Sequence, residues 1–252
     1  MSTLLFPFPG EASFSALIQA FSQINGRGSF EKKQEWEADV WTVDIQVSRG
    51  SVLEKAGIGQ VIMRGGQVEG IPTDIQLLQT LAWPAHPTAP GFIIMASTSR
   101  MQDQPSMIML YVDLIQQGPA LDAADCEAFS AALREVCSTY NQNWDDLQSM
   151  LVGRGMLGAC AAACGLLYFF EETDIPFLEE VIEKSLSAYQ RIVARDRGSA
   201  TDKDRMEMVV ARKKILDWIL SEDYGVKVAR QNDIPLEIME LYAFPPGMSL
   251  PS

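Results

Sequence analysis

Between residues 40 and 115 apolar and polar side chains alternate in short runs separated by Gly, Pro and Asp-rich turns. From residue 122 onward the apolar spacing changes to that of helices. A period of two places every second side chain on one face of a strand, whereas a period near 3.6 gathers apolar side chains into a helical stripe. The run Val40-Trp41-Thr42-Val43-Asp44-Ile45-Gln46-Val47 reads as a strand, and 59–63, 74–83, 91–97 and 106–115 follow as further strand candidates. Helices are expected over 14–24, 122–139, 177–194 and 201–220. The last of these is opened by Thr201 with Asp204 three residues on, close to a capping box. A final strand is expected over 236–244, returning to the sheet. Strands first and helices afterwards predict an α+β fold, an antiparallel sheet covered by helices.

The length, 252 residues with 47% hydrophobic side chains, suits a real core, and a single domain over 1–252 is expected. No apolar run is long enough for a membrane span; the longest candidate, 156–170, is short and holds glycines. The first residues, MSTLLFPFPGE, lack the basic region and apolar core of a secretory signal. A soluble cytoplasmic protein, monomeric or homodimeric, is therefore expected. The net charge of −13 repels phosphate backbones and argues against nucleic-acid binding. It also disfavours an acidic protein partner unless cations cluster locally. Lys203, Arg205, Arg212, Lys213 and Lys214 offer such a cluster, although a solvated helix face is the plainer reading.

Cys126, Cys137, Cys160 and Cys164 read as buried small thiols rather than metal ligands, because the only histidine is His86, set between prolines in a loop. The same placement leaves no histidine for a hydrolase triad. No glycine-rich nucleotide loop is evident, which fits chemistry that needs no bound cofactor. Two acids stand out. In the strand 106–115, Met107, Met109, Tyr111 and Asp113 share one face. An acid there either caps the following turn, QQGPA, or projects into a pocket where burial raises its pKa toward the useful range for proton transfer. Asp223, in SEDYG, either closes a helix C-terminus with Gly225 or belongs to a pocket; an acid is unfavourable at the negative end of a helix.

Several segments resemble those of one superfamily, which contains aerobic coproporphyrinogen oxidase, the ferredoxin-dependent bilin reductases and red chlorophyll catabolite reductase. The resemblance is weak per position but collinear over roughly 36–247. RGSVLEKAGI is similar to an oxidase segment, WPAHPTAP keeps a proline spacing, and YVDLIQ resembles a shared Asp-Leu element with Gln116 in place of proline. FLEEVIEKSLSAYQRIVARDR resembles an oxidase helix and SEDYGVKVA an Asp-Arg-Gly segment. The resemblance implies a flat antiparallel sheet between helix layers, an α/β/α sandwich, with a tetrapyrrole held against one sheet face. It implies catalytic roles for Asp113 and Asp223 on opposite walls. Met95, Ser97, Met107, Met109 and Tyr111 would line the pocket, with Tyr224 and Arg230 at its rim.

The chain also departs from these families. Met95-Ala96-Ser97-Thr98-Ser99 replaces a His-x-Asn-x-Arg element, with Arg100 one place late. Gln79 stands near a bilin-reductase histidine, and Tyr224 replaces an arginine. The resemblance thus implies a bilin or chlorophyll-catabolite reductase supplied with electrons by an external, ferredoxin-type donor. The alternatives are an oxidase using molecular oxygen, or a non-catalytic tetrapyrrole-binding protein.

Overall fold

The computed structural model describes residues 4–26, 30–102, 104–154 and 161–249, with backbone alone at 31–33, 153 and 154. Seven strands form one sheet in chain order: β1 (Phe30–Glu37), β2 (Trp41–Ser48), β3 (Leu53–Val68), β4 (Ile71–Pro84), β5 (Gly91–Met101), β6 (Met107–Ile115) and β7 (Leu166–Phe170). Every neighbouring pair is antiparallel. The helices are α1 (Glu11–Asn25), α2 (Ala123–Thr139), α3 (Trp144–Arg154), α4 (Ile175–Val193), α5 (Asp202–Glu222), α6 (Tyr224–Gln231) and α7 (Leu236–Tyr242). The α+β expectation is met.

Alternation along the strands feeds two cores. Phe92, Ile94 and Ala96 of β5, with Ile108, Leu110 and Val112 of β6, pack with Leu17 of α1, Phe129 of α2 and the apolar stripe of α4. The intervening side chains, among them Ile93, Met95 and Tyr111, face the opposite way and pack with Ile215 of α5, Val226 of α6 and Met239 of α7. The helices therefore lie on both faces. Local signals set their ends. The Thr201 side chain accepts from the Asp204 backbone N–H, and the Asp204 carboxylate accepts from the Thr201 N–H in return. Asp122 accepts from the Ala124 N–H at the start of α2.

Several expectations require correction. Residues 236–244 do not return to the sheet: Leu236–Tyr242 is helical, with Ile238, Met239 and Tyr242 buried. A short apolar run is ambiguous between strand and helix, and here the 3–4 residue spacing of the buried side chains prevails. Strand β1 was hidden by its charges (FEKKQEWE), and β7 by its place within the apolar run 156–170, whose first part lies outside the described residues. Arg212 is neither a surface cation nor part of a solvated face. It is buried and donates to Glu54 Oε2, Gln117 Oε1 and the Pro84 carbonyl, fastening α5 to the sheet. Cys137 and Cys164 are buried and Cys126 half-buried; Cys160 lies outside the described residues. Among the described residues no helix is long and apolar enough to cross a membrane.

Two glycines let α7 lie directly on β3. A Cβ at Gly57 would stand 2.1 Å from the Tyr242 carbonyl oxygen, and one at Gly59 would stand 2.8 Å from the Tyr242 ring. The buried Lys55 fixes the other end of this contact. Its Nζ donates to the Glu240 carbonyl at 2.7 Å and the Phe244 carbonyl at 2.8 Å, where the helix end is negative. Burial, assisted by Arg49 and opposed by Glu240, lowers its pKa from 10.5 to about 7. Between those values the unfolded chain binds a proton that the folded chain releases, so stability rises with pH across that window. Urea denaturation is expected to give about 2 kcal/mol more stability at pH 9 than at pH 7, and this increment should vanish in Lys55→Met. An equal increment in the variant would remove Lys55 as its source.

Candidate functional site

The sheet face toward α5, α6 and α7 carries a regular grid. Directly opposed residues of antiparallel strands point the same way, so the register defines rows. One row runs Val43, Val61, Leu77, Ser97, Met109, Phe169. Beside it on one side lie Met63, Ile75, Ser99 and Met107; on the other lie Gln79, Met95, Tyr111 and Leu167. Every one of these except Tyr111 lines a cavity of about 590 Å³. Trp218 and Glu222 of α5, Asp223, Tyr224 and Val228 around α6, and Met239 and Tyr242 of α7 form its roof. The volume falls within the roughly 300–1,000 Å³ of small-molecule sites. Methionine is frequent in the lining, and its flexible, polarizable thioether adapts well to aromatic ligands.

Asp223 is the buried acid of this cavity. It ends α5 and caps the N-terminus of α6, its Oδ1 accepting the Val226 N–H at 3.0 Å. The expected clash with a helix C-terminus is resolved because the carboxyl group faces the positive end of α6. Burial raises its pKa, while the Val226 and Gly225 N–H groups pull it down, with a smaller contribution from Lys227. Glu222 and Tyr224 flank it at the more exposed mouth, Tyr224 with 54% of its surface accessible. At the inner end the buried Tyr242 hydroxyl donates to Gln79 Oε1 at 2.9 Å. Burial, and next the Asp223 charge, raise the Tyr242 pKa, so the phenol stays protonated.

The predicted residues divide into three groups. Met95, Ser97, Met107, Met109, Asp223 and Tyr224 come together around the cavity. Tyr111 lies on the correct face between Met95 and Leu167 but is wholly covered, and its hydroxyl has no hydrogen-bond partner among the described residues. Arg230 is exposed on α6 and outside the cavity lining.

Asp113 is not a wall of the cavity. It is fully buried; Oδ1 accepts from the N–H groups of Leu114, Cys164 and Gly165, and Oδ2 from that of Ala163. The carboxylate thus holds the segment leading into β7 rather than the turn after β6. Burial raises its pKa to about 6 against the pull of those donors. The arrangement of Asp113 and Asp223 on opposite walls is therefore not realised.

Gln79, Glu222 and Tyr242 were not expected in the site. Gln79 carried a signal, as a polar residue within the apolar run LLQTLAW. Tyr242 was hidden by the reading of 236–244 as a strand.

The geometry defines a class: an α+β protein with a small-molecule-sized, methionine-rich cavity between an antiparallel sheet and the helices α5, α6 and α7, lined by one buried acid. In comparison with known proteins, no family model matches this chain and no curated protein matches it.

Proposed function

We propose that the chain binds a linear or reduced tetrapyrrole against the sheet face and supports its two-electron reduction, in the manner of a bilin or chlorophyll-catabolite reductase. The observation that carries the reading is the buried Asp223 carboxyl in a cavity whose floor is a largely apolar sheet face. A conjugated ligand laid on that floor would accept two electrons from an external one-electron donor of the ferredoxin type. Two protons would complete the reduced double bond. Asp223 supplies one to the ligand, and the other comes from solvent through the mouth near Glu222 and Tyr224. Asp113 has a structural role in this reading, and Tyr111 backs the floor. The reading also places the chain in the cytoplasm, where reduced donors are available.

A second reading, a non-catalytic tetrapyrrole-binding protein, is favoured by the occupation of Asp113 with backbone donors, which leaves one acid where two were expected. The test is biliverdin titrated into the protein under argon, followed by reduced ferredoxin. A spectral shift with turnover supports the reductase; a shift without turnover supports the binding protein. No shift with biliverdin or with its dimethyl ester removes the tetrapyrrole reading. Oxygen uptake with a porphyrinogen would favour the oxidase alternative.

A further inference from the structure

The charges at the cavity restrict its ligand further. Among the described residues that line it, none is Lys or Arg; the carboxylic side chains are Glu222 and Asp223. Nearby cations are engaged elsewhere. Arg100 pairs with Asp74 at 3.0 Å, and Lys227 lies 3.7 Å from Glu222, outside the lining, with a minor influence on Asp223. Asp223 is buried, and the net charge of the chain is −13. A carboxylate brought into this space would lose its water shell and find no lining cation to compensate its charge. Both the local and the long-range field would oppose its entry.

The polar groups that do line the cavity suit another kind of ligand. Asp223 and the hydroxyls of Ser97 and Ser99 can accept hydrogen bonds, so N–H or O–H donors would be matched where anionic groups would not.

We infer that the cavity selects a planar, uncharged ligand whose polar edge carries N–H or O–H donors, and rejects the same scaffold when it bears a carboxylate or sulfonate. This deepens the tetrapyrrole reading. Within that reading the substrate has its acidic side chains masked, as esters for example, and the class of reaction supplying it is an esterification or the cleavage of an already esterified ring.

The test separates the two claims. N-phenyl-1-naphthylamine and 1-anilinonaphthalene-8-sulfonate share a scaffold and differ in the sulfonate. Fluorescence titration should give saturable binding of the neutral probe at least about tenfold tighter than of the anion. In the tetrapyrrole series, biliverdin dimethyl ester should bind at least about tenfold tighter than biliverdin. Ser99→Arg, which adds a cation to the half-buried floor, should narrow or reverse both preferences. Glu222→Gln, at the mouth, should narrow both preferences, chiefly by raising the affinity of the anionic ligand.

Neutral preference with naphthylamines and no binding of either biliverdin form would keep the charge inference and end the tetrapyrrole reading. Biliverdin binding as tight as its ester would keep the tetrapyrrole reading and overturn the charge inference. No saturable binding of the neutral naphthylamine, or preferences that neither charge variant moves, would overturn it as well.

Discussion

Asp223→Asn is expected to lower turnover of a reducible tetrapyrrole by about 10²-fold or more while changing ligand affinity little. The substitution preserves size and the accepting oxygen that caps α6, and Asn is as good an N-cap as Asp. The cavity therefore keeps its roof, and only the transferable proton is lost. A second signature separates this from a structural effect. Burial holds the Asp223 pKa above the ordinary carboxylate range. A proton donor acts in its protonated form, so wild-type turnover should fall as pH rises through that raised pKa, and the residual turnover of the Asn variant should not show this limb. Stopped-flow reduction measured across pH for both proteins decides the matter. Unchanged turnover and unchanged binding would leave Asp223 as a helix cap alone.

The difference between the two acids explains how much of the site could be read from the chain. Period-two alternation places Met95, Ser97, Met107 and Met109 on the face where they are found. The same parity places Asp113 on that face. What alternation cannot give is where the cavity stops. That boundary is drawn by residues 161–165, fifty positions downstream of Asp113, whose backbone N–H groups converge on its carboxylate.

Asp223 was ambiguous for another reason. The end of α5 was legible, but α6 is only eight residues long and contains Gly225, too little for a periodic signal. Its N-cap could not be told from a C-terminal loop. The misassignment of α7 has the same origin. Short apolar segments take their conformation from what they pack on, here a strip of β3 cleared by Gly57 and Gly59.

Asp113→Ala is expected to lose about 4 kcal/mol or more of folding stability at acidic pH, and less at neutral pH. Removal of the carboxylate leaves the buried N–H groups of Leu114, Ala163, Cys164 and Gly165 without their acceptor. Each orphaned donor costs about 1–3 kcal/mol, so even the low end reaches that total.

The pH dependence follows from linkage. The folded-state pKa of Asp113 is raised from 3.8 to about 6. The stability it contributes is fully present below 3.8 and is lost as pH rises through about 6. Two pKa units correspond to about 3 kcal/mol, and that decline is absent when the side chain is alanine. The wild-type advantage should therefore shrink between pH 4 and pH 7, the reverse of an acid held by a salt bridge.

Asp113→Asn supplies the control. Its carbonyl can serve the three donors on Oδ1, its amide opposes the Ala163 N–H, and the expected loss is about 1–2 kcal/mol. Like alanine, it removes the titration. Urea denaturation of the three proteins at both pH values measures each quantity. A wild-type advantage over Asp113→Ala that grows from pH 4 to pH 7 would contradict the assignment of a raised pKa to this anchor.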